Sequence, residues 1–315
     1  MNQVSLHAGL AGEYRMVVQH ADGTAKDTGW FHNLILDSGL NHIGSGFQDA
    51  LLAYARVGTG TSTPVVTQAQ LDSQLAVSTS SSSSATAVTN DGSPLYRSTL
   101  TFTYVFNQGA VVGNITEVGI GWATTGATLF SRALMLDNAG SPTTVTLVAL
   151  DQLTVYYRLR ITPPLTDGVG SVTLGATTYN YTSRILQASN FGAIQYMFLY
   201  GFQYFGQVYA TVTQTYGAGA GLAPITATAP TGSQTGAVPT TDAKANAYTL
   251  GTFYRDTPVT WPIGSGNATG GIQALALTVG YPYQQFRFQI VFATPIPKTN
   301  TNVLILNFRF SWGRG

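Results

Sequence analysis

The strongest signal along the chain is strict alternation of apolar and polar positions in a few stretches. In LDQLTVYYRLRITPP, Leu153, Val155, Tyr157, Leu159 and Ile161 alternate with Thr154, Tyr156, Arg158 and Arg160 before Pro163 and Pro164. A period of two places each set on one face of a strand. The two prolines cannot continue the ladder. Leu100, Phe102, Tyr104 and Phe106 alternate in the same way with Thr101, Thr103 and Val105, and Phe286, Phe288, Ile290 and Phe292 with Arg287, Gln289 and Val291. At the C-terminus Leu304, Leu306, Phe308, Phe310 and Trp312 alternate with Ile305, Asn307, Arg309 and Ser311. Strands with one apolar face and one Arg/Thr/Tyr face belong in an antiparallel sheet or sandwich.

Weaker patterns fill the rest. In NITEVGIGW the large residues Ile115, Val118, Ile120 and Trp122 have Gly119 and Gly121 between them. Such a strand has a bare face, against which another backbone or ring lies close. LFSRALML reads as the next strand. Near the start, Tyr14, Met16 and Val18 alternate as a short strand, Asp22-Gly23 is a hairpin turn, and 30–36 is the returning strand. Leu40, Ile43, Phe47, Leu51 and Tyr54 lie at helical spacing, which predicts a helix from Leu40 to Tyr54. A second short helix is predicted at Thr67 to Leu75, with Thr67 as its N-cap. STSSSSS at 78–84 reads as a flexible loop. Tyr196, Phe198, Tyr200, Phe202 and Tyr204 recur at period two and predict a strand. Residues 215–245 are rich in Gly, Ala, Thr and Pro and read as a long loop or extended arm.

The expected fold is therefore all-β: an antiparallel, jelly-roll-like β-sandwich with one or two short helices near the N-terminus. Its core is 90–165 together with 270–315. Residues 166–269 form an inserted β-rich subdomain, and 1–89 an N-terminal attachment region.

Composition adds a function class. Only 9% of the 315 residues are charged, against ~25% in an average soluble domain. The net charge is +1. Little charge and abundant Gly, Ser, Thr and aromatics suit a chain that covers its surface with partner chains, because an isolated monomer needs charge to stay soluble. The arginines are scattered without a basic run, which argues against nucleic acid. No Cys is present, so disulfides, thiolate metal sites and a Cys nucleophile are excluded. No window is apolar enough for a membrane-spanning helix. No secretory signal is visible at the N-terminus.

Candidate chemistry is sparse. His7, His20, His32 and His42 are too widely spaced for a metal motif and read as surface or interface residues. Glu117, Asp137, Asp151, Asp167 and Asp256 could serve acid–base catalysis, but the sequence brings no pair together. Glu117, inside an apolar strand, is expected on a polar face or as a partner for Arg132, Arg158 or Arg160. The GTGTSTP run lacks the lysine of a phosphate loop and is a turn. No catalytic, cofactor or metal residue is nominated. The row Tyr196, Phe198, Tyr200, Phe202 and Tyr204 either buries itself between subunits or stacks on sugar rings.

ARVGTGTSTPVVTQAQL, NITEVGIGW, LFSRALML, LDQLTVYYRLRITPP and the terminal FRFSWGR together resemble a group of tailed-bacteriophage virion structural proteins: tail, tail-fibre-associated or head-appendage subunits. The resemblance covers about residues 30–165 and 275–315 and leaves 166–270 as a variable excursion. It implies a non-enzymatic subunit on the virion, in the tail, baseplate or neck, assembled in the host cytoplasm. Its partners would be copies of itself, as a trimer or ring, and other virion proteins. The alternatives are an adsorption module that binds a host glycan or pilus, and a virion-associated glycan hydrolase.

Overall fold

In the computed structural model the described residues are 3–45, 51–78, 80–84, 98–137, 139–187, 210–235, 246–279 and 286–315. The first half of the chain forms β1 (Gln3–Gln19), β2 (Ala25–Asp27), β3 (Phe31–His32), β4 (Leu34–Ile35), α1 (Asp37–Ser45), β5 (Tyr54–Gly58), β6 (Gln74–Val77), β7 (Ser80–Ser84), β8 (Ser98–Val105), β9 (Gly113–Ile115), β10 (Glu117–Gly121), β11 (Leu129–Leu134) and β12 (Val145–Leu147). The second half forms β13 (Gln152–Thr162), β14 (Gly168–Leu174), β15 (Thr177–Leu186), β16 (Ala210–Gly217), β17 (Gln234–Thr235), β18 (Tyr254–Trp261), β19 (Ile272–Val279), β20 (Phe286–Ile296) and β21 (Leu304–Arg314).

The fold is all-β. A large sheet runs β18-β21-β1-β13-β8-β7, with β2 and β3 also paired to β1. A second sheet is β4-β11-β10-β5-β6, a third is β14-β15-β20-β19-β16-β17, and β9 pairs with β12. Pairings are antiparallel except β1 with β21, which run parallel from Gln3↔Asn307 to Leu10↔Arg314.

The alternating residues behave as their pattern requires. Leu153, Val155, Tyr157, Leu159 and Ile161 are buried on the inner face of the large sheet, as are Leu304, Leu306, Phe308, Phe310 and Trp312. They share one core with residues of the two smaller sheets. Where the second sheet covers this face, Tyr14 Oη meets Ser131 Oγ of β11 at 2.6 Å and Tyr104 Oη donates to Leu52 O at 2.6 Å. Toward the other end, Trp261 Nε1 donates to Thr215 Oγ1 of β16 at 3.4 Å. The end of β21 clasps α1 and the strand before it: Trp312 Nε1 donates to Leu40 O of α1 at 2.9 Å, and Arg314 Nε to Ile35 O of β4 at 2.6 Å.

Several local expectations are corrected. The helix begins at Asp37 and its described part ends at Ser45, while Tyr54, expected inside it, opens β5. Arg255 Nε donates to Gly44 O, in the last described turn of the helix, at 2.8 Å. Thr67–Leu75 forms no helix. Gln68 and Asp72, which look like the polar face of one, turn inward to Arg132. Ser80–Ser84, expected as a flexible loop, pairs with β8 from Ser80↔Val105 to Ser84↔Thr101; edge pairing uses backbone groups and needs no apolar side chain. The returning strand at 30–36 is two pieces: β3 pairs with β1 and β4 with β11, so the chain changes sheets at Asn33. Residues 1–89, read as an attachment region, supply the central strand β1. Residues 270–315 divide between two sheets, β21 in the large one and β19 and β20 with β14 to β17. Part of the 215–245 stretch folds back on its own sheet, where the buried Gln289 accepts from Ala223 N at 2.9 Å and donates to Ala223 O at 2.8 Å.

Candidate functional site

Among the described residues the most elaborate polar construction is built on β10. All five of its residues are buried. Val118 and Ile120 face the core, and Glu117, Gly119 and Gly121 face the other way. The glycines leave room, as their pattern suggested: a Cβ at Gly121 would lie 1.9 Å from Thr128 O, and one at Gly119 would lie 2.8 Å from Leu129 Cδ1. Onto this face folds the 59–73 loop, with Leu71 packing beside Leu36 and Leu129.

Glu117 holds the loop down. Its Oε1 accepts from Gly60 N and Ser73 N, each at 2.9 Å, and its Oε2 from Asp72 N at 3.1 Å. Arg132, on the neighbouring strand, donates from Nε to Glu117 Oε2 at 2.9 Å, from Nη2 to Asp72 Oδ2 at 2.7 Å and from Nη1 to Gln68 Oε1 at 2.7 Å. Both Glu117 and Arg132 are fully buried. Asp72 in turn accepts from Ser62 Oγ at 2.5 Å. Burial pushes the Asp72 carboxyl up, but the bonds from Ser62 and Arg132 outweigh it and hold it below its usual value. Gly60 is required by close approach, since a Cβ there would lie 2.4 Å from Glu117 Oε1. A carboxylate with four N–H partners and a guanidinium with four acceptors, Ser62 Oγ at 3.4 Å being the fourth, form a network in which the buried polar groups are satisfied. Beyond it the loop exposes an apolar tip, with Val65 51% and Val66 37% accessible.

Of the partners expected for Glu117, the structure selects Arg132. Arg158 and Arg160 bind a carboxylate the sequence reading did not single out, Glu13 on β1. Arg158 Nε and Nη2 reach Glu13 Oε2 at 2.8 and 2.5 Å, and Arg160 Nη2 reaches the same oxygen at 3.0 Å. The signal that could have found it is register: Glu13 stands opposite Arg158 across the β1–β13 pair. The Arg158 guanidinium lies over the Trp30 ring, 4.2 Å from its centroid. Two similar stacks occupy this outer face: Arg15, paired with Asp27, over Tyr156, and Arg309, paired with Asp256, over Tyr254.

The remaining candidates are scattered. His7 Nδ1 meets Ser311 Oγ at 3.0 Å, His20 Nδ1 meets Asp151 Oδ1 at 3.0 Å, and His32 Nδ1 lies 4.0 Å from Glu13. His42 stacks on Trp122 with ring centroids 3.7 Å apart, and burial lowers its pKa to about 3. Among the described residues no three His, Asp or Glu side chains gather in a metal-binding group. Asp167 pairs with Arg184 and Asp256 with Arg309, while Asp137 accepts backbone N–H groups in its own turn. Tyr196, Phe198, Tyr200, Phe202 and Tyr204 lie outside the described residues.

Arg56 is also fully buried, and among the described residues no carboxylate pairs with it. It donates to Ala123 O and Gly126 O, each at 2.9 Å, and to Thr125 O at 3.2 Å, which fixes the 123–128 turn. Burial lowers its pKa to about 10. No helix among the described residues is long and apolar enough to cross a membrane. No protein family, curated protein or solved structure matches the chain.

Proposed function

We propose that the chain is a structural subunit of a tailed-phage virion, in the tail, baseplate or neck, and that it self-associates through sheet faces and loops. The observation that carries this reading is the clamped 59–73 loop. A fully buried ion pair and three backbone anchors hold a loop whose tip shows Val65 and Val66 to solvent. Buried ion pairs contribute specificity of arrangement more readily than net stability. Ordering an apolar tip in solvent is useful when the tip inserts into a partner.

A second apolar patch supports the same reading. Val112 and Val148 flank the paired Gly113 and Leu147, and Leu75 lies beside Gly113. These three and the nearby Leu150 are each between 45% and 60% exposed. Contiguous exposed apolar residues mark interaction surfaces. No catalytic residue is assigned: among the described residues the candidate carboxylates are engaged by separate partners, and no two converge on one cleft.

Sedimentation velocity of the purified chain tests the assembly role. The expected result is a trimer or larger ring at micromolar concentration, shifted toward monomer by Val65→Asp with Val66→Asp and with unchanged circular dichroism. A wild-type chain that stays monomeric, or an oligomer indifferent to the double variant, would overturn the docking role of the loop.

A further inference from the structure

We propose that the outer face of the large sheet carries an anion subsite at Arg158, Arg160 and His32, and that its ligand is an acidic polysaccharide presenting carboxylates. Each guanidinium has five N–H donors. Arg158 makes two hydrogen bonds to Glu13 Oε2, and Arg160 forms an ion pair with the same oxygen. Among the described residues Arg160 reaches only Glu13. Most donors of the pair therefore meet no protein acceptor among the described residues, and the side chains of Arg158 and Arg160 are 25% and 32% exposed. Glu13, 12% exposed, orients both forks and cancels one of their two charges. His32, 85% exposed, stands at the rim with Nδ1 4.0 Å from Glu13 Oε1. The surplus is positive and is held in place, because Arg158 is also fixed over Trp30. A planar, pre-oriented guanidinium fork matches a carboxylate.

The glycan character comes from what stands beside the forks. In the β13–β8 register Arg158 is opposite Thr101, and Tyr156 is opposite Thr103. Both threonines lie partly exposed on the same face. Hydroxyl donors and acceptors next to guanidinium forks suit a chain of hydroxylated rings with acidic substituents. The inference goes beyond the assembly role, and its failure leaves that role standing, because self-association is read separately.

The test is calorimetric titration of the full chain with oligogalacturonate, uncharged dextran oligomers and inorganic polyphosphate. Binding is expected for oligogalacturonate and absent for dextran. Arg160→Gln, which keeps the Arg158–Glu13 bonds, should weaken oligogalacturonate binding about tenfold, as expected for loss of one charge-assisted contact. Arg314→Gln, at the Asp37 pair by the helix, should leave it unchanged. Thr101→Val should weaken oligogalacturonate without affecting any residual polyphosphate binding. Absence of oligogalacturonate binding, equal binding of dextran, or indifference to Arg160→Gln would overturn the subsite. Polyphosphate bound as tightly as oligogalacturonate, with no effect of Thr101→Val, would overturn the glycan assignment.

Discussion

Replacing Glu117 by Gln changes one oxygen to an amide nitrogen, yet it should destabilise the fold strongly. In the native network Oε1 serves Gly60 N and Ser73 N, and Oε2 serves Asp72 N and Arg132. A glutamine can keep one pair of acceptor bonds through its carbonyl oxygen. Its NH2 must then face either Asp72 N–H and Arg132 or Gly60 N–H and Ser73 N–H, donor against donor. Arg132, fully buried, would retain Asp72 and Gln68 but lose its buried carboxylate. Removing one member of a buried pair costs about 3–5 kcal/mol, and each orphaned buried donor adds about 1–3 kcal/mol; since these overlap, about 3–5 kcal/mol is the expected loss. Two assays read it. Urea unfolding gives the global change, and hydrogen exchange shows whether the amides of Gly60, Asp72 and Ser73 lose protection. A loss below about 1 kcal/mol with undiminished protection would refute the claim that Glu117 anchors the loop.

Other consequences follow from the same geometry. Gly60→Ala should cost about 1–3 kcal/mol by overpacking, since the new methyl would meet Glu117 Oε1 and Asp72 Cβ at about 2.4–2.5 Å; urea unfolding checks this, and an unchanged midpoint would contradict the close approach. Stability should decline with acid in two stages. His42 protonates near 6.5 when unfolded and near 3 when folded, so the unfolded chain binds the extra proton and stability falls as pH drops from about 6.5 toward 3, by at most about 1.4 kcal/mol per pH unit. Asp27 and Asp167, held low by Arg15 and Arg184, contribute stability that is present above their ordinary value of 3.8 and lost as pH falls below it. His42→Gln should remove the first stage and leave the second; an unchanged profile would show that His42 is not the group responsible.

The parts of the fold legible in the sequence are those where one force decides the outcome. Strand β13 must bury Leu153 to Ile161 on one side, and its alternation reads directly as geometry. The bare face of β10 follows from Gly119 and Gly121 in the same way. Glu117 was legible as a residue needing an arginine because a carboxylate in an apolar strand must find a partner, and Arg132 is supplied by the next strand. The 59–73 loop was not legible. Its polar residues satisfy a buried guanidinium, so Gln68 and Asp72 mimic an exposed helical face while pointing inward. Likewise β7 carries no apolar signal, because its backbone alone makes the pairing with β8. The place of β1 between β13 and β21 depends on contacts across nearly the whole chain, which local periodicity does not encode.

The account's central claim is that the chain is built into a phage particle. Immunogold labelling of purified particles with antibody to the folded chain tests it most directly. The account predicts label at the tail, baseplate or neck, in register with one morphological feature from particle to particle. Absence of label from both intact and disrupted particles would contradict it.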